Sequence, residues 1–332
     1  MKQQLNEDVQ ITPQLDKACG LDMHKDKIVG FISWKDGSHQ EIREFGTFTC
    51  ELKQINEWLH ANNIQHCLME STGIYWMSLY AILTESGIEV TVANPVHIKQ
   101  MPKRKTDRKD ARWLCTLLLH GLVRASFVPD TEQRILRDYC RNRLFYVWQH
   151  NRIRNRLLKV LESNNIKLRS VISSTHTKSA MDIIRLLAIG VTDKEQLLKC
   201  ARGKVLSKKE RLIMALEGTL QPSHHIQLQM LLDDFDHIQK QVDSLDTMIT
   251  AIVSQHYAQA VECLDSISGI ASRSAEIIIS EAGKDMSRFP TADHFTAWCG
   301  IAPGNNESAG KRKNTAIKKG NSYLRVAIVG AA

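Results

Sequence analysis

Between residues 224 and 256, Leu228, Leu231, Phe235, Ile238, Val242, Leu245, Ile249 and Ile252 follow one another in alternating steps of three and four. That is a heptad seam sustained over more than three repeats, and a helix carrying it must bury the stripe against a second helix. Two partners are available. One is the basic helix expected over residues 131–162, folded back within the same chain. The other is the same helix of a second subunit. The reading favours oligomerisation, with both helices forming a stalk.

The 131–162 segment carries Arg134, Arg137, Arg141, Arg143, Arg152, Arg154, Arg156 and Lys159, interleaved with Tyr139, Phe145, Tyr146 and Trp148. Its own apolar seam runs through Leu136, Cys140, Leu144 and Val147, meets Asn151 and Arg154, and resumes at Leu158 and Leu161. The aromatics are expected in the core. Arg152, Arg154 and Arg156 are candidates for a nucleic-acid backbone. Residues 163–222 read as a small helical insert with a Lys/Arg-rich middle. The net charge of +8 favours a polyanionic partner.

Ahead of the helices the pattern changes to short apolar runs that end on acids or turn residues. Lys17–Asp22, Ile28–Trp34, Glu41–Phe45, Gln65–Glu70 and Glu89–Ala93 read as strands, with Asp36-Gly37 as a hairpin turn. Helices are expected over Cys50–Leu59, over Tyr75–Ser86 and from Thr106 to about Leu122. Three strands in a meander, then helix, strand, helix, strand, helix, make an α/β plan with a mixed sheet. Thr106 is a candidate N-cap. A helix starting there puts Asp107 and Asp110 on one face, three residues apart. Two strands also end on acids, Asp22 and Glu70. Carboxylates held together call for a cation, and oxygen ligands suit Mg²⁺ or Mn²⁺. Lys103, Arg104, Lys105, Arg108 and Lys109 around the pair suit phosphate. Carboxylates, a hard metal and phosphate point to phosphodiester chemistry. The alternative is turn chemistry and a solvated helix start.

Eight cysteines stand alone, with no C-x-x-C pair, so neither a zinc site nor a disulfide framework is indicated. Scattered cysteines suit a reducing cytosol. No apolar run approaches the roughly 20 residues of a membrane span, and no signal peptide opens the chain.

From Val261 onward a helix, a turn at Gly269 and a second helix resemble a helix-hairpin-helix, a device that offers backbone N–H groups to a phosphate. Ala271 stands where a second glycine is usual. Gly300-Ile301-Ala302-Pro303-Gly304 breaks a further helix. A polar loop, Asn305 to Gly310, then runs into Lys311, Arg312 and Lys313. The last helix begins at Ser322, and the sequence stops inside its apolar run, which reads as an abbreviated C-terminus.

Several of these pieces resemble one family. They are Gly20-Leu21-Asp22, Met69-Glu70-Ser71-Thr72-Gly73-Ile74-Tyr75, Asn94-Pro95, Lys105-Thr106-Asp107-Arg108-Lys109-Asp110-Ala111, Ile267-Ser268-Gly269-Ile270, and Gly300-Ile301-Ala302-Pro303 followed by Glu307-Ser308. In this order they look like the DEDD transposases, the bridge-RNA-guided recombinases of the insertion-sequence group one hundred and ten, with its subgroup eleven-eleven. The resemblance implies a loose start (1–16), a RuvC-like, ribonuclease-H-type catalytic domain (17–125), a basic helix, helical insert and coiled-coil stalk (126–258), and a helical C-terminal transposase domain (259–332). It places the four acids on Asp22, Glu70, Asp107 and Asp110 and the catalytic serine on Ser308. It further implies donor and target DNA, a guide RNA, a dimer assembling to a tetramer, and a prokaryotic cytoplasmic, nucleoid-associated setting. Departures are Ala271, Ala309 after the serine, and the early end of the sequence.

Composition and spacing do not single out Ser308. Given the resemblance, the expectation is strand cleavage through a phosphoserine at a metal-binding DEDD site. Two readings stand beside it: a junction-resolving nuclease in which metal-activated water attacks, and a non-catalytic nucleic-acid scaffold.

Overall fold

The computed structural model describes residues 15–98, 106–172, 177–303, 306–308, 311–314, 316–317 and 320–332. The chain divides into two compact units, Met1–Val128 and Pro129–Ala332. The observed class is α/β followed by α.

The first unit is built on a five-stranded sheet: β1 (Lys17–Met23), β2 (Ile28–Trp34), β3 (Gln40–Phe45), β4 (His66–Glu70) and β5 (Glu89–Ala93). Their order is β3-β2-β1-β4-β5. The first three strands are antiparallel neighbours, whereas β4 joins β1, and β5 joins β4, in parallel. The parallel pairings need helical crossovers. These are α1 (Thr49–Ala61) and α2 (Trp76–Glu85). A single turn, α3 (Pro95–Ile98), follows β5, and α4 (Asp107–Leu119) comes after it.

Alternation along the central strand sorts the two faces. Cys19, Leu21 and Met23 of β1 enter one core with Leu52, Ile55, Trp58 and Leu59 of α1 and Leu79 and Leu83 of α2. Ala18 points the other way, into a core with Ala111, Cys115 and Leu119 of α4. Leu68 of β4 shares that second face with Leu114 and Leu117 of α4. The sheet is therefore sandwiched, α1 and α2 on one side and α4 on the other.

The second unit opens with α5 (Thr131–Ser163) and contains α9 (Pro222–His256), the helix of the heptad seam. The partner the seam requires is α5 of the same chain. Leu136 and Cys140 of α5 pack with Ile249 and Val253 of α9. Farther along, Ile153, Leu157 and Leu161 share a core with Leu228, Leu231 and Ile238. Arg143 and Asp246 pair across the two helices. The intramolecular hairpin thus meets the demand that pointed to a second subunit. Between these helices lies the helical insert, α6 (Lys178–Ala188), α7 (Lys194–Lys199) and α8 (Lys209–Ala215). It closes the same core through Ile183, Ile184, Leu187 and Leu212.

Two expectations for α5 are corrected. Leu136, Cys140, Leu158 and Leu161 are buried as expected and Leu144, Val147, Asn151 and Arg154 are half-buried, but Ile153, Leu157 and Val160 add a second buried line that the seam did not include. Of the four aromatics, Tyr139 and Tyr146 are half-buried, but Phe145 and Trp148 are 50% and 49% exposed. They lie three residues apart and share one half-exposed face of the helix, Phe145 meeting the Tyr146 ring edge-on.

The C-terminal portion comprises α10 (Ala258–Asp265), α11 (Ser272–Ala282), α12 (Ala292–Cys299), a two-stranded hairpin of β6 (Asn306–Ser308) and β7 (Lys311–Asn314), and α13 (Ser322–Ala331). The stretch expected as a loop therefore contains two short antiparallel strands, Ser308 lying opposite Lys311. The hairpin is tied at its base. Pro303 bridges to Ile317, and the Asn321 N–H donates to the Trp298 carbonyl at 3.0 Å. Among the described residues, no helix is long and apolar enough to cross a membrane.

Candidate metal centre and nucleic-acid surfaces

The site in the first unit is positioned by one close approach. A Cβ on Gly20 would stand 2.1 Å from the Ala111 carbonyl oxygen and 2.4 Å from the Cys115 nitrogen. Only a glycine lets the α4 backbone lie against β1 there. Two residues beyond Gly20, on the same face, is Asp22. One residue before Ala111 is Asp110. The glycine that seats α4 therefore brings its first turn to the end of β1.

Asp22 is nearly buried, 8% exposed. Its Oδ2 lies 3.1 Å from His24 Nε2, and the same nitrogen lies 3.4 Å from Asp107 Oδ1. The other Asp107 oxygen takes the Lys27 ammonium at 2.6 Å. One ligand atom from each of Asp22, His24 and Asp107 lies within 4.8 Å of the others. Burial pushes the Asp22 carboxyl above its ordinary value, with Asp110 and Asp107 adding to the rise and His24 opposing it. Asp107 moves the opposite way, held down chiefly by the Lys27 hydrogen bond. Two carboxylates a few ångströms apart are thus split by environment.

Thr106 occupies the N-cap of α4 with extended backbone, but its side chain makes no capping bond. Asp107 and Asp110 lie in the first turn, where the exposed N–H groups favour negative charge. Glu70 ends β4 and follows Leu68 onto the α4 face of the sheet. Because Leu21 pairs with Met69, Asp22 and Glu70 come next on adjacent parallel strands. Glu70 accepts a hydrogen bond from Thr72 Oγ1 and is not part of the Asp22–His24–Asp107 group. The structure therefore gathers Asp22, Asp107 and Asp110 and brings Glu70 to the same edge. His24 and Lys27 were not picked out from the sequence. Their signal is their place: the short polar turn between β1 and β2, directly after Asp22.

The donor set fits a divalent ion. Two carboxylates and an imidazole converge, a third carboxylate is close enough to raise the first, and the hard oxygens match Mg²⁺ or Mn²⁺.

The proposed phosphate-binding residues fall in both units. Arg108 donates from Nε to Glu44 of β3 at 3.0 Å, and Lys109 is exposed. Lys103, Arg104 and Lys105 lie outside the described residues. On α5, Arg152 and Arg156 are exposed and Arg154 is half-buried. Phe145, Trp148, Arg152, Arg156 and Lys159 follow one another by three or four residues, so they form one stripe of exposed side chains.

Gly269 turns α10 into α11 with φ of 90°. Its bare side is covered: a Cβ would stand 2.0 Å from the Ala331 carbonyl oxygen of α13. That contact requires a glycine whether or not a phosphate binds. Ala271 is the N-cap of α11. Ser308 sits in β6, and the Lys311-Arg312-Lys313 run lies in β7.

Comparison with known proteins finds two family matches, the first running across the boundary between the two units. A family model described as transposase, of the DEDD type and IS110 group, matches residues 19–166. A second, described as transposase of the IS116/IS110/IS902 family, matches residues 261–332. The y4qE protein of Sinorhizobium fredii is 25% identical over 263 residues, which cover 76% of this chain and 54% of that protein. The transposase for insertion sequence element IS1533 of Leptospira borgpetersenii is 29% identical over 156 residues, covering 45% of this chain and 44% of that protein. The chain spans about half the length of the curated relatives it matches. The solved structure of Thermus thermophilus RuvC matches 33% of this chain and 99% of its own, at 12% identity and a TM-score of 0.25.

Proposed function

Since the chain belongs to the IS110 family of DEDD transposases, we propose that it cuts and rejoins DNA as the transposase of an insertion sequence. The observation that carries this reading is the convergence of Asp22, His24 and Asp107 at one edge of the sheet, with Asp110 beside them and Glu70 on the neighbouring strand.

In this reading Asp22, Glu70, Asp107 and Asp110 hold Mg²⁺ or Mn²⁺ against a scissile phosphate. The bound ion supplies charge neutralisation at the phosphate and at the departing oxygen. The chain's own residues do the rest. Asp22 and Asp107 stand at fixed positions because α4 is locked to β1 at Gly20. Ser308 is the nucleophile. Its Oγ forms a bond to phosphorus as the bond to the 3′ oxygen breaks, and the serine proton is balanced by the one gained at the released 3′-hydroxyl. The 3′-hydroxyl of the exchanged strand then displaces the serine, so the bond energy is conserved. Lys311, Arg312 and Lys313 neutralise phosphate charge beside it. A guide RNA pairing with donor and target DNA would delegate sequence choice to base pairing. Assembly as a dimer or tetramer would let one subunit's serine serve another's acids.

The test uses the full chain, its guide RNA and a labelled DNA duplex. Ser308→Ala abolishes a protein–DNA adduct on denaturing gels while RNA binding survives, and Asp107→Asn abolishes metal-dependent strand cleavage. Cleavage with no adduct in the unaltered protein would instead favour attack by water.

A further inference from the structure

We propose that His24 is a direct ligand of the divalent ion, adding an imidazole to the acids and tilting the site toward Mn²⁺ over Mg²⁺. The inference rests on the metal-centre reading above and concerns a residue outside the four acids.

The geometry is that of a donor rather than of a bystander. Ligands at about 2.1 Å and right angles around an octahedral ion stand about 3 Å apart. His24 Nε2 is 3.1 Å from Asp22 Oδ2 and 3.4 Å from Asp107 Oδ1. One ion can therefore face all three atoms with little motion. The backbone beneath it is fixed: the His24 backbone N–H donates to the Lys27 carbonyl at 2.9 Å, closing the turn between β1 and β2.

Lys27 divides the work with it. Its ammonium stands on Asp107 Oδ2, leaving Oδ1 for the ion. The turn thus contributes one ligand and one outer-shell partner that orients another ligand. An imidazole nitrogen is a softer donor than carboxylate, so a first-row transition ion gains more from it than Mg²⁺ does. The side chain of His24 is 50% exposed. Replacing it removes little packing.

Mn²⁺ added to the full-length protein serves as the probe, read by electron spin-echo envelope modulation. The expected result is a directly coordinated nitrogen in the unaltered protein. In His24→Ala and His24→Asn that modulation disappears, Mn²⁺ affinity falls by about tenfold or more, and Mg²⁺ affinity falls less. Mn²⁺ bound without a coordinated nitrogen overturns the role of His24 and leaves the carboxylate centre standing. Nitrogen modulation that persists in both folded variants also overturns it. No Mn²⁺ bound by the unaltered protein overturns both this inference and the metal-centre reading beneath it.

Discussion

Gly20 of β1 lies under Ala111 of α4 so closely that the carbonyl oxygen of Ala111 would stand 2.1 Å from a Cβ on the glycine. The contact is backbone against backbone, so no side-chain rotation can relieve it. Gly20→Ala is expected to cost about 1–3 kcal/mol by overpacking and to push the first turn of α4 away from Asp22. Urea denaturation measures the first effect and Mn²⁺ binding the second. Unchanged stability with unchanged metal affinity would show that α4 is not seated by this glycine.

The acids should titrate apart. The Asp22 carboxyl is raised above its ordinary value of 3.8, chiefly by burial. A raised carboxyl favours folding below the unfolded value and loses that contribution as pH rises through the folded value. Above the folded value the buried carboxylate is therefore a burden on the metal-free fold. Asp22→Asn should raise the Tm of the metal-free protein at pH 7 and erase the further rise that Mn²⁺ gives the unaltered chain. A lower Tm in the metal-free variant would contradict the direction.

Asp107 supplies the converse. Its carboxyl is held below 3.8, first by the Lys27 hydrogen bond. That contribution is present above the unfolded value and is lost as pH falls through the folded one. In Lys27→Ala the Asp107 carboxyl resonance should titrate at higher pH than in the unaltered protein; an unchanged midpoint would contradict the role of Lys27.

The sheet was legible because short apolar runs bounded by turn residues are a local property, and β1 and β2 are buried along nearly their whole length. Ile28–Trp34 and Glu89–Ala93 have the ends their apolar residues imply, Glu70 ends its strand as read, and Asp22 stands one residue before the end of its own. The acid pair on α4 followed from a three-residue spacing. His24 and Lys27 could not be read the same way. Their relation to Asp107 joins residues some eighty positions apart and exists only once Gly20 has seated α4. Phe145 and Trp148 misled for a related reason. Hydrophobicity says that a ring gains from burial, but which helix face finds a partner was settled by where α9 lies. The residues about Ser308 carry no periodic signal, so the short strands Asn306–Ser308 and Lys311–Asn314 were invisible.

Glu281 is fully buried and ties three helices together. It accepts from Arg141 Nε and Nη2 of α5 at 2.7 and 2.8 Å and from Asn321 Nδ2 at 2.6 Å. Arg137 of α5 adds bonds to the Ser280 and Glu281 carbonyls. Asn321 also caps α13, its Oδ1 accepting from the Tyr323 and Leu324 N–H groups. Removing the buried carboxylate from such a network leaves two half-buried guanidinium groups without their counter-charge. Glu281→Ala should destabilise the second unit by about 3–5 kcal/mol. Calorimetry of the full chain should show one transition lowered and the other, from the sheet unit, unmoved. Because α13 follows the Ser308 hairpin directly, the same variant should lose adduct formation at temperatures where the sheet unit is still folded.

The exposed stripe on α5 offers the sharpest separation of binding from folding. Phe145 and Trp148 present aromatic faces to solvent, and Arg152, Arg156 and Lys159 continue the line. Rings followed by guanidinium groups suit single-stranded nucleic acid, in which unstacked bases can lie on the rings while the phosphates meet the charges. Phe145→Ala with Trp148→Ala should weaken binding of a short single strand by about 1–3 kcal/mol per base unstacked. Stability should change by no more than about 0.5 kcal/mol for each exposed position. Arg152→Ala with Arg156→Ala should act differently. Each lost phosphate contact lowers the slope of log affinity against log salt by about 0.7, a change that the aromatic pair should leave untouched. Fluorescence anisotropy across a salt series separates the two effects. Equal salt slopes in the arginine variant and the unaltered chain would place the nucleic acid elsewhere on the protein.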